Sequence, residues 1–505
     1  MADSSLPILL LILEIFTALV LGGLVVLLVA GVILYVMDVR QTRHTIRRNY
    51  PLLGRFRYLL EHLGTFFRHY FFAMDREELP FNRAQRSWVY RAAKNVDSTL
   101  AFGSTESMTN PGTLIFVSHP FPTLGESLCP SETVIGPDCR EPYKTNAIFN
   151  ISAMSYGAIS RPAVTALSRG AALAGCWLNT GEGGLSEYHL SGGADIVFQI
   201  GTAKYGVRDD RGELSDDRLR NIARYPQVRM FEIKISQGAK PGKGGILPGI
   251  KVTEEIAGIR GIPAGVDSIS PNGHPDIRSV GDLLDRVAYI RELTGKPVGF
   301  KLVVGGTDFF DNLFDEIERR GPASAPDFIT LDGGDGGTGA APQSLMDHAG
   351  LTIRESLPMV VDKLVERGLR ERIKIIAAGK LVLPVDVAWA LCTGADFVNS
   401  ARGFMFALGC IQSLQCNKNT CPTGVATHDP DLQRGLDPAD KAVRVAQYVQ
   451  NMVREVTVIA HSCGVDCPRD LRRHHVRMVV RPGHSVSLDR LYSAGYPPGL
   501  GQEKV

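Results

Sequence analysis

Between about residues 145 and 401 the chain repeats one pattern: a short β-rich run, a glycine-bearing break, then a stretch with helical spacing. This alternation commits a chain to parallel strands, because such strands return to the same sheet only through a crossover, normally a helix. Strands are predicted at 147–153, 176–180, 229–235, 266–270, 297–303, 327–332, 374–379 and 396–401, with helices such as 276–295 and 354–368 between them. Eight β/α repeats in about 260 residues predict an α/β fold, a (β/α)8 barrel of the TIM type. Residues 194–200 (ADIVFQI) read as a ninth strand, expected in an insertion after the second. An open doubly wound sheet is the alternative. It normally places a phosphate fingerprint after its first strand, and none follows 147–153 here.

The glycines fall where such a fold would use them. Asn179-Thr180-Gly181-Glu182-Gly183-Gly184 follows the second predicted strand, and Gln237 to Gly245 follows 229–235. Asp332-Gly333-Gly334-Asp335-Gly336-Gly337-Thr338-Gly339, Gly379 and Arg402-Gly403 follow the last three. In a barrel these loops share the C-terminal face, where active sites sit and phosphates are cradled. A phosphate-bearing cofactor is the expected ligand. Hydrophobic residues at 44% exclude global disorder, and a formal net charge of +2 gives no electrostatic reason to expect nucleic acid as a partner.

Cys410, Cys416 and Cys421 have the spacing C-x5-C-x4-C and precede Pro422. Three thiols this close suggest metal or iron–sulfur ligation rather than disulfides. A three-iron cluster needs only three protein ligands; zinc, with His428 as a fourth ligand, remains open from spacing alone. Cys129, Cys139, Cys176 and Cys392 read as packing residues, and Cys463 and Cys467 as structural thiols.

Residues 15–37 contain no charge, enough to span a bilayer at about 1.5 Å per residue. A buried helix and a cleaved signal are the alternatives; the signal reading lacks a basic residue before Arg40. Arg40, Arg43, Arg47 and Arg48 follow, so the positive-inside rule predicts a single-pass cell-membrane protein with its main body in the cytoplasm. Glu14 is expected at the outer interface. Residues 52–72 have helical apolar spacing and are expected to pack on the main domain or to lie in the headgroup layer. The expected organisation is an anchor at 1–39, a helical and irregular region at 40–140, a barrel at 141–480 and a tail at 481–505.

The segments MSYGAIS (154–160), NTGEGG (179–184), QGAKPGKGG (237–245), DGGDGGTGAAP (332–342) and CIQSLQCNKNTCPTGVATHDP (410–430) resemble the FMN-binding synthase domain of the glutamate synthase large subunit. The layout is most similar to the shorter FMN-binding glutamate synthase family proteins. The resemblance runs from about residue 50 to 480. It implies an oxidoreductase with FMN and a [3Fe-4S] cluster that converts 2-oxoglutarate, through its imine, to L-glutamate. It assigns Cys410, Cys416 and Cys421 to the cluster. Met154, Ser155, Asn179, Thr180, Lys234 and Lys301 would surround the flavin. Gly333, Gly334, Gly336, Gly337, Thr338, Gly339, Gly379 and Gly403 would hold its ribityl phosphate. Ser155, Gln237 and Lys240 would bind the oxo acid, and Glu182 and Lys240 would be catalytic. Glu182, if partly buried, is expected to act as an acid through a raised pKa.

The departures lie on the substrate side. Lys243 stands where an acidic residue is usual, and Asn272-Gly273-His274-Pro275-Asp276 replaces a Pro- and His-rich stretch. Another 2-oxo acid and amine pair, or an electron-transfer subunit of a membrane complex, are therefore the alternative functions. Residue 2 is alanine rather than a cysteine nucleophile, so ammonia is expected from solution or a glutaminase partner. Electrons are expected from ferredoxin, a separate reductase subunit or a membrane redox carrier.

Overall fold

A computed structural model describes residues 5–97, 99–125 and 132–492. The chain forms two compact units, Met1–Ala84 and Gln85–Val505. In the first, Ser5–Arg40 is one helix of 36 residues. Within its stretch Leu9–Arg40 an apolar window of 18 residues has a mean hydropathy of 2.9 and no buried residue, so the helix is long and apolar enough to cross a membrane. At about 1.5 Å per residue Glu14 lies about 35 Å from Met37, beyond a hydrocarbon layer of about 30 Å. A short helix Thr45–Asn49 follows. Then comes Leu53–Phe67, which runs on through a wider turn at Arg68–Phe72 and matches the helix expected over 52–72.

The second unit is built on a closed barrel of eight parallel strands. In chain order they are β1 Phe149–Ile151, β2 Leu178–Asn179, β3 Ile196–Ile200, β4 Val228–Lys234, β5 Val298–Leu302, β6 Phe328–Asp332, β7 Lys374–Ala378 and β8 Phe397–Ser400. β8 closes on β1 with Ser400 opposite Ile151. The predicted barrel is present, but two strand assignments change. Residues 196–200 are the third barrel strand, not part of an insertion. They follow β2 after a single four-residue helix, Glu187–Leu190, far shorter than the crossover helix that marks most such units. Within 266–270 only Ser268–Ile269 is extended. It pairs antiparallel with Ile246–Leu247 inside the long connection from β4 to β5. The helices expected at 276–295 and 354–368 span Val280–Thr294 and Ile353–Glu366.

The strands are buried almost throughout, as expected for a parallel barrel covered by helices. A hairpin, Thr133–Ile135 with Tyr143–Thr145, closes the N-terminal mouth. Its Ile135 and Tyr143 join Trp177, Val197, Met230, Phe328, Ile376 and Phe397, from the starts of six strands or just before them, in one core cluster. The other mouth is left for chemistry. Helix Arg161–Ala174 is capped by Ser160, whose hydroxyl accepts from Ala163 N–H, and ends at left-handed Gly175. Gly170 lets it approach helix Pro438–Ser462 closely, since a Cβ there would lie 2.5 Å from Val445.

Candidate active site

Halfway up the barrel the interior turns polar. Glu232 of β4 is fully buried and accepts from Asn179 Nδ2 at 2.8 Å, Gln199 Nε2 at 2.7 Å and Thr330 Oγ1 at 2.6 Å. A buried carboxylate so satisfied fixes β2, β3, β4 and β6 against one another. Asn179 Oδ1 accepts from Gly181 N–H, and Thr180 Oγ1 accepts from Gln199 N–H, so both side chains shape the turn that follows β2.

That turn, Gly181–Gly183, carries Glu182. Its carboxylate lies in a slot between two glycines: a Cβ on Gly245 would sit 2.2 Å from Oε1, and one on Gly201 2.6 Å from its Cβ. Lys234 Nζ stands 3.0 Å from the same Oε1 and also donates to Gln237 Oε1. Burial raises the Glu182 pKa, but the charges of Lys234, Lys240 and Arg260 and the Lys234 hydrogen bond outweigh it, so the pKa is lowered. This corrects the expected raised pKa: Glu182 is held as a carboxylate. Lys240 is buried, and burial together with Lys234 lowers its pKa to about 8, against the opposing charge of Glu182. Arg260 is absent from the sequence-based site. It is buried at the end of helix Glu254–Arg260, donates to Ser268 Oγ at 3.1 Å and leaves Nε without a partner. Its last-turn position reads in sequence as a helix-end cation; its burial beside Glu182 is tertiary.

The loops after β4 and β6 are locked together. Gly238 N–H donates to Asp332 Oδ2 at 2.9 Å, Lys301 Nζ lies 3.0 Å from that oxygen, and Ala239 N–H donates to Gly334 O at 3.1 Å. Gln237 Nε2 reaches Gly337 O and Lys240 Nζ reaches Ala340 O. Burial alone would lower the Lys301 pKa, but Asp332 and Glu232 raise it, so it is a fixed cation at the barrel mouth.

Gly333, Gly334 and Gly379 are required where loop backbones touch. Added Cβ atoms would lie 2.8 Å from Ile353 N, 2.4 Å from Gly350 O and 2.7 Å from Gly333 N, and Gly379 has φ +118°. Gly336 packs on Gly333 O and Gly403 on Tyr448 Oη, whereas Gly339 faces open space. Gly337, the least covered with Gly339, has Arg402 Nε 2.8 Å from its would-be Cβ; Thr338 donates to Ala340 O. Residues 334–339 have the spacing G-x-G-x-x-G, but irregular chain follows, so they do not open a helix as a dinucleotide fingerprint does. A backbone-lined rim with buried Lys301 and the Arg402 guanidinium suits an anionic, phosphate-bearing flavin. Met154 and Ser155 follow β1 and lie against the turn after β2, where a Cβ on Gly181 would meet Ser155 N at 2.6 Å.

The cysteine loop follows helix Arg402–Leu408, which comes after β8. Cys410, Cys416 and Cys421 are free thiols, the last one buried. Burial raises the Cys410 pKa to about 12 and also raises that of Cys416, and in each case charge on neighbouring cysteines adds to it, so the three sulfurs lie within electrostatic reach. Among the described residues no three His, Cys, Asp or Glu side chains converge on a single ion. His428 bonds through Nε2 to Gly157 O at 2.9 Å, which removes that nitrogen from a zinc site. A donor set of three thiols alone fits a cluster in which each thiolate binds its own iron. Lys251, unremarked in the sequence reading, is buried here. Its ammonium donates to Ala158 O at 2.7 Å, Ala426 O at 3.1 Å and Cys416 O at 3.3 Å, stapling the 154–160 loop to the cysteine loop. Cys139, Cys176 and Cys392 are buried free thiols, as expected; Cys129 lies outside the described residues. Cys463 is a free thiol, but Cys467 is disulfide-bonded, which corrects the reading of both as thiols.

A family profile described as the conserved region in glutamate synthase matches residues 126–466. The glutamate synthase large subunit-like protein YerD of Bacillus subtilis is 39% identical, over 94% of this chain and 97% of its own. The archaeal-type glutamate synthase [NADPH] of Thermotoga maritima is 36% identical over 64% of this chain, and the match spans 60% of that protein. A solved structure of mandelate oxidase with (S)-4-hydroxymandelic acid superposes with a TM-score of 0.45 and 15% identity, over 78% of this chain and 99% of that one, too loosely to place any residue.

Proposed function

This chain belongs to the glutamate synthase family, and from that premise we propose that it is an FMN- and [3Fe-4S]-dependent oxidoreductase that aminates 2-oxoglutarate reductively to L-glutamate. The observation that carries the reading is the convergence of Glu182, Lys234, Gln237, Lys240 and Arg260 at the mouth beside the glycine rim. A dianionic oxo acid needs buried cations, and Lys240 and Arg260 supply them. Gln237 and Ser155 orient the acid. Glu182, held ionised beside Lys234, is placed to hold ammonium and take its proton, leaving ammonia free to add to the carbonyl with loss of water. The same group returns a proton to nitrogen as the imine is reduced. Bound FMN would supply the hydride equivalent, and the cluster a one-electron route to it.

Met154, Ser155, Thr180, Lys234 and Lys301 would surround the flavin, with Asn179 positioning the β2 turn. Gly333–Gly339, Gly379 and Gly403 would hold its ribityl phosphate, and Cys410, Cys416 and Cys421 the cluster. Ammonia would come from solution or a glutaminase partner, and electrons from ferredoxin or a reductase subunit. Ser5–Arg40 would anchor the protein in the cell membrane with the barrel in the cytoplasm, on the arginine-rich side.

Reduced protein mixed with 2-oxoglutarate and ammonium should reoxidise and yield glutamate. A second reading, another 2-oxo acid and amine pair, rests on His274, whose Nε2 bonds to Lys234 O at 2.9 Å. This puts the divergent 272–276 stretch against the strand that carries Lys234. A panel of oxo acids with no preference for 2-oxoglutarate would favour it. Fast reoxidation by an artificial acceptor, and by no oxo acid, would leave only electron transfer.

A further inference from the structure

The amphipathic helix Leu53–Phe67 and its extension Arg68–Phe72 play no part in the proposed chemistry, yet they present large apolar side chains to solvent. Phe56 is 60% exposed, Leu60 64%, Phe67 44% and Phe71 75%. Their spacings of four, seven and four residues put them on one face of a helix, so they form one stripe, and Glu61 lies away from it. A stripe of this size on a water-soluble surface marks an interaction face.

Its surroundings indicate the partner. Between residues 40 and 72 the sequence has seven arginines, at 40, 43, 47, 48, 55, 57 and 68, against one acidic residue, Glu61. The helix is also fixed to the end of the long apolar helix. Asp38 is buried, accepts from Arg55 Nε and Nη2, both at 2.8 Å, and accepts from Leu52 N–H at 3.1 Å. Gly54 packs against Ile46 O, 2.9 Å from a would-be Cβ. This clasp holds the start of the amphipathic helix where the long helix ends.

We propose that Leu53–Phe72 lies in the headgroup layer of an anionic bilayer, its aromatic stripe in the acyl boundary and Arg57 and Arg68 among lipid phosphates. The inference rests on the reading that Ser5–Arg40 spans that bilayer. Helices with one apolar and one basic face bind membrane surfaces in this way, and juxtamembrane arginines add attraction to anionic lipid. The Asp38–Arg55 clasp would make span and surface helix one rigid foot.

The test uses the full chain in nanodiscs of mixed phosphatidylglycerol and phosphatidylcholine, with the photoreactive residue p-benzoylphenylalanine at position 24, 60, 61, 67 or 71. Lipid adducts, read by mass spectrometry, are expected from 24, 60, 67 and 71, with yield at 61 at least several-fold lower. In pure phosphatidylcholine the yields at 60, 67 and 71 should fall several-fold while that at 24 holds. Adducts at 24 with crosslinks from 60, 67 and 71 to the barrel or to another protein would overturn the proposal and leave the span standing. Absence of lipid adducts at 24 would remove the span, and the proposal with it. Equal labelling at 61, or yields indifferent to lipid charge, would also overturn it.

Discussion

Replacing Gly245 by alanine adds one carbon and two hydrogens and removes no charge, yet it should impair the proposed chemistry. The new Cβ would lie 2.2 Å from Glu182 Oε1, the oxygen that stands 3.0 Å from Lys234 Nζ. Gly245 does not have a positive φ, so its backbone accepts alanine. The atom in the way is the end of a side chain, and it can retreat. A retreat of about 1 Å would lengthen the pair to about 4 Å. At an effective dielectric of about 20 the attraction falls from about 5.5 to about 4.2 kcal/mol, a loss worth about tenfold in the placement of the carboxylate. Because the side chain yields, stability should change little, at or below the low end of the about 1–3 kcal/mol seen for overpacked cores. The assay is the rate at which 2-oxoglutarate and ammonium reoxidise the reduced protein, beside thermal unfolding. Gly245→Ala should slow reoxidation about tenfold or more, with Tm lowered by less than about 3 °C. In a Glu182→Gln background the same substitution should cost little further, because its effect passes through that carboxylate. A wild-type rate, or an undiminished effect in the Glu182→Gln background, would refute the reasoning.

Lys240→Ala should weaken oxo-acid binding by about tenfold to a hundredfold at neutral pH, measured as KM for 2-oxoglutarate. With the Lys240 pKa lowered to about 8, the cation is present below that pH and lost above it. In the unmodified protein kcat/KM should therefore fall as pH rises through about 8, and Lys240→Arg should remove that fall. Cys416→Ser should reduce iron and acid-labile sulfide per chain while Cys463→Ser leaves both unchanged; stoichiometric zinc in anaerobically prepared protein would refute the cluster. Lys251→Met leaves three carbonyls without their donor, so iron content and Tm should both fall, as metal analysis and calorimetry would report.

The barrel was legible because buried parallel strands are short apolar runs punctuated by glycine, and seven of the eight strands fall where that pattern puts them. The two errors share a cause. Chain order identifies a strand only if its crossover is visible, and the four-residue helix before β3 is too short to show helical periodicity. The run at 266–270 reads as a strand because it is locally β-rich, but it pairs with a loop segment rather than the barrel, which is a tertiary fact. At the site, the resemblance carried by the glycine-rich motifs pointed to Glu182, Gln237 and Lys240, which the fold brings near Lys234. The charge state of Glu182 was not legible, because its nearest partner is contributed by a strand distant in sequence. Arg260 and Lys251 were missed for the same reason: each looks like an ordinary charged residue until the fold buries it.

The interlock between the loops after β4 and β6 has a thermodynamic consequence. A Cβ on Gly238 would lie 2.2 Å from Gly333 O, and Asp332 ties Lys301 to the Gly238 backbone. The segment that would meet the oxo acid and the segment that would meet the cofactor phosphate in the proposed function therefore cannot shift independently. Whatever orders one orders the other, and the entropy lost by the pair is lost once, with the first ligand to arrive. Under the proposed function each ligand would then tighten the other by the same factor, and the two would fill the mouth cooperatively.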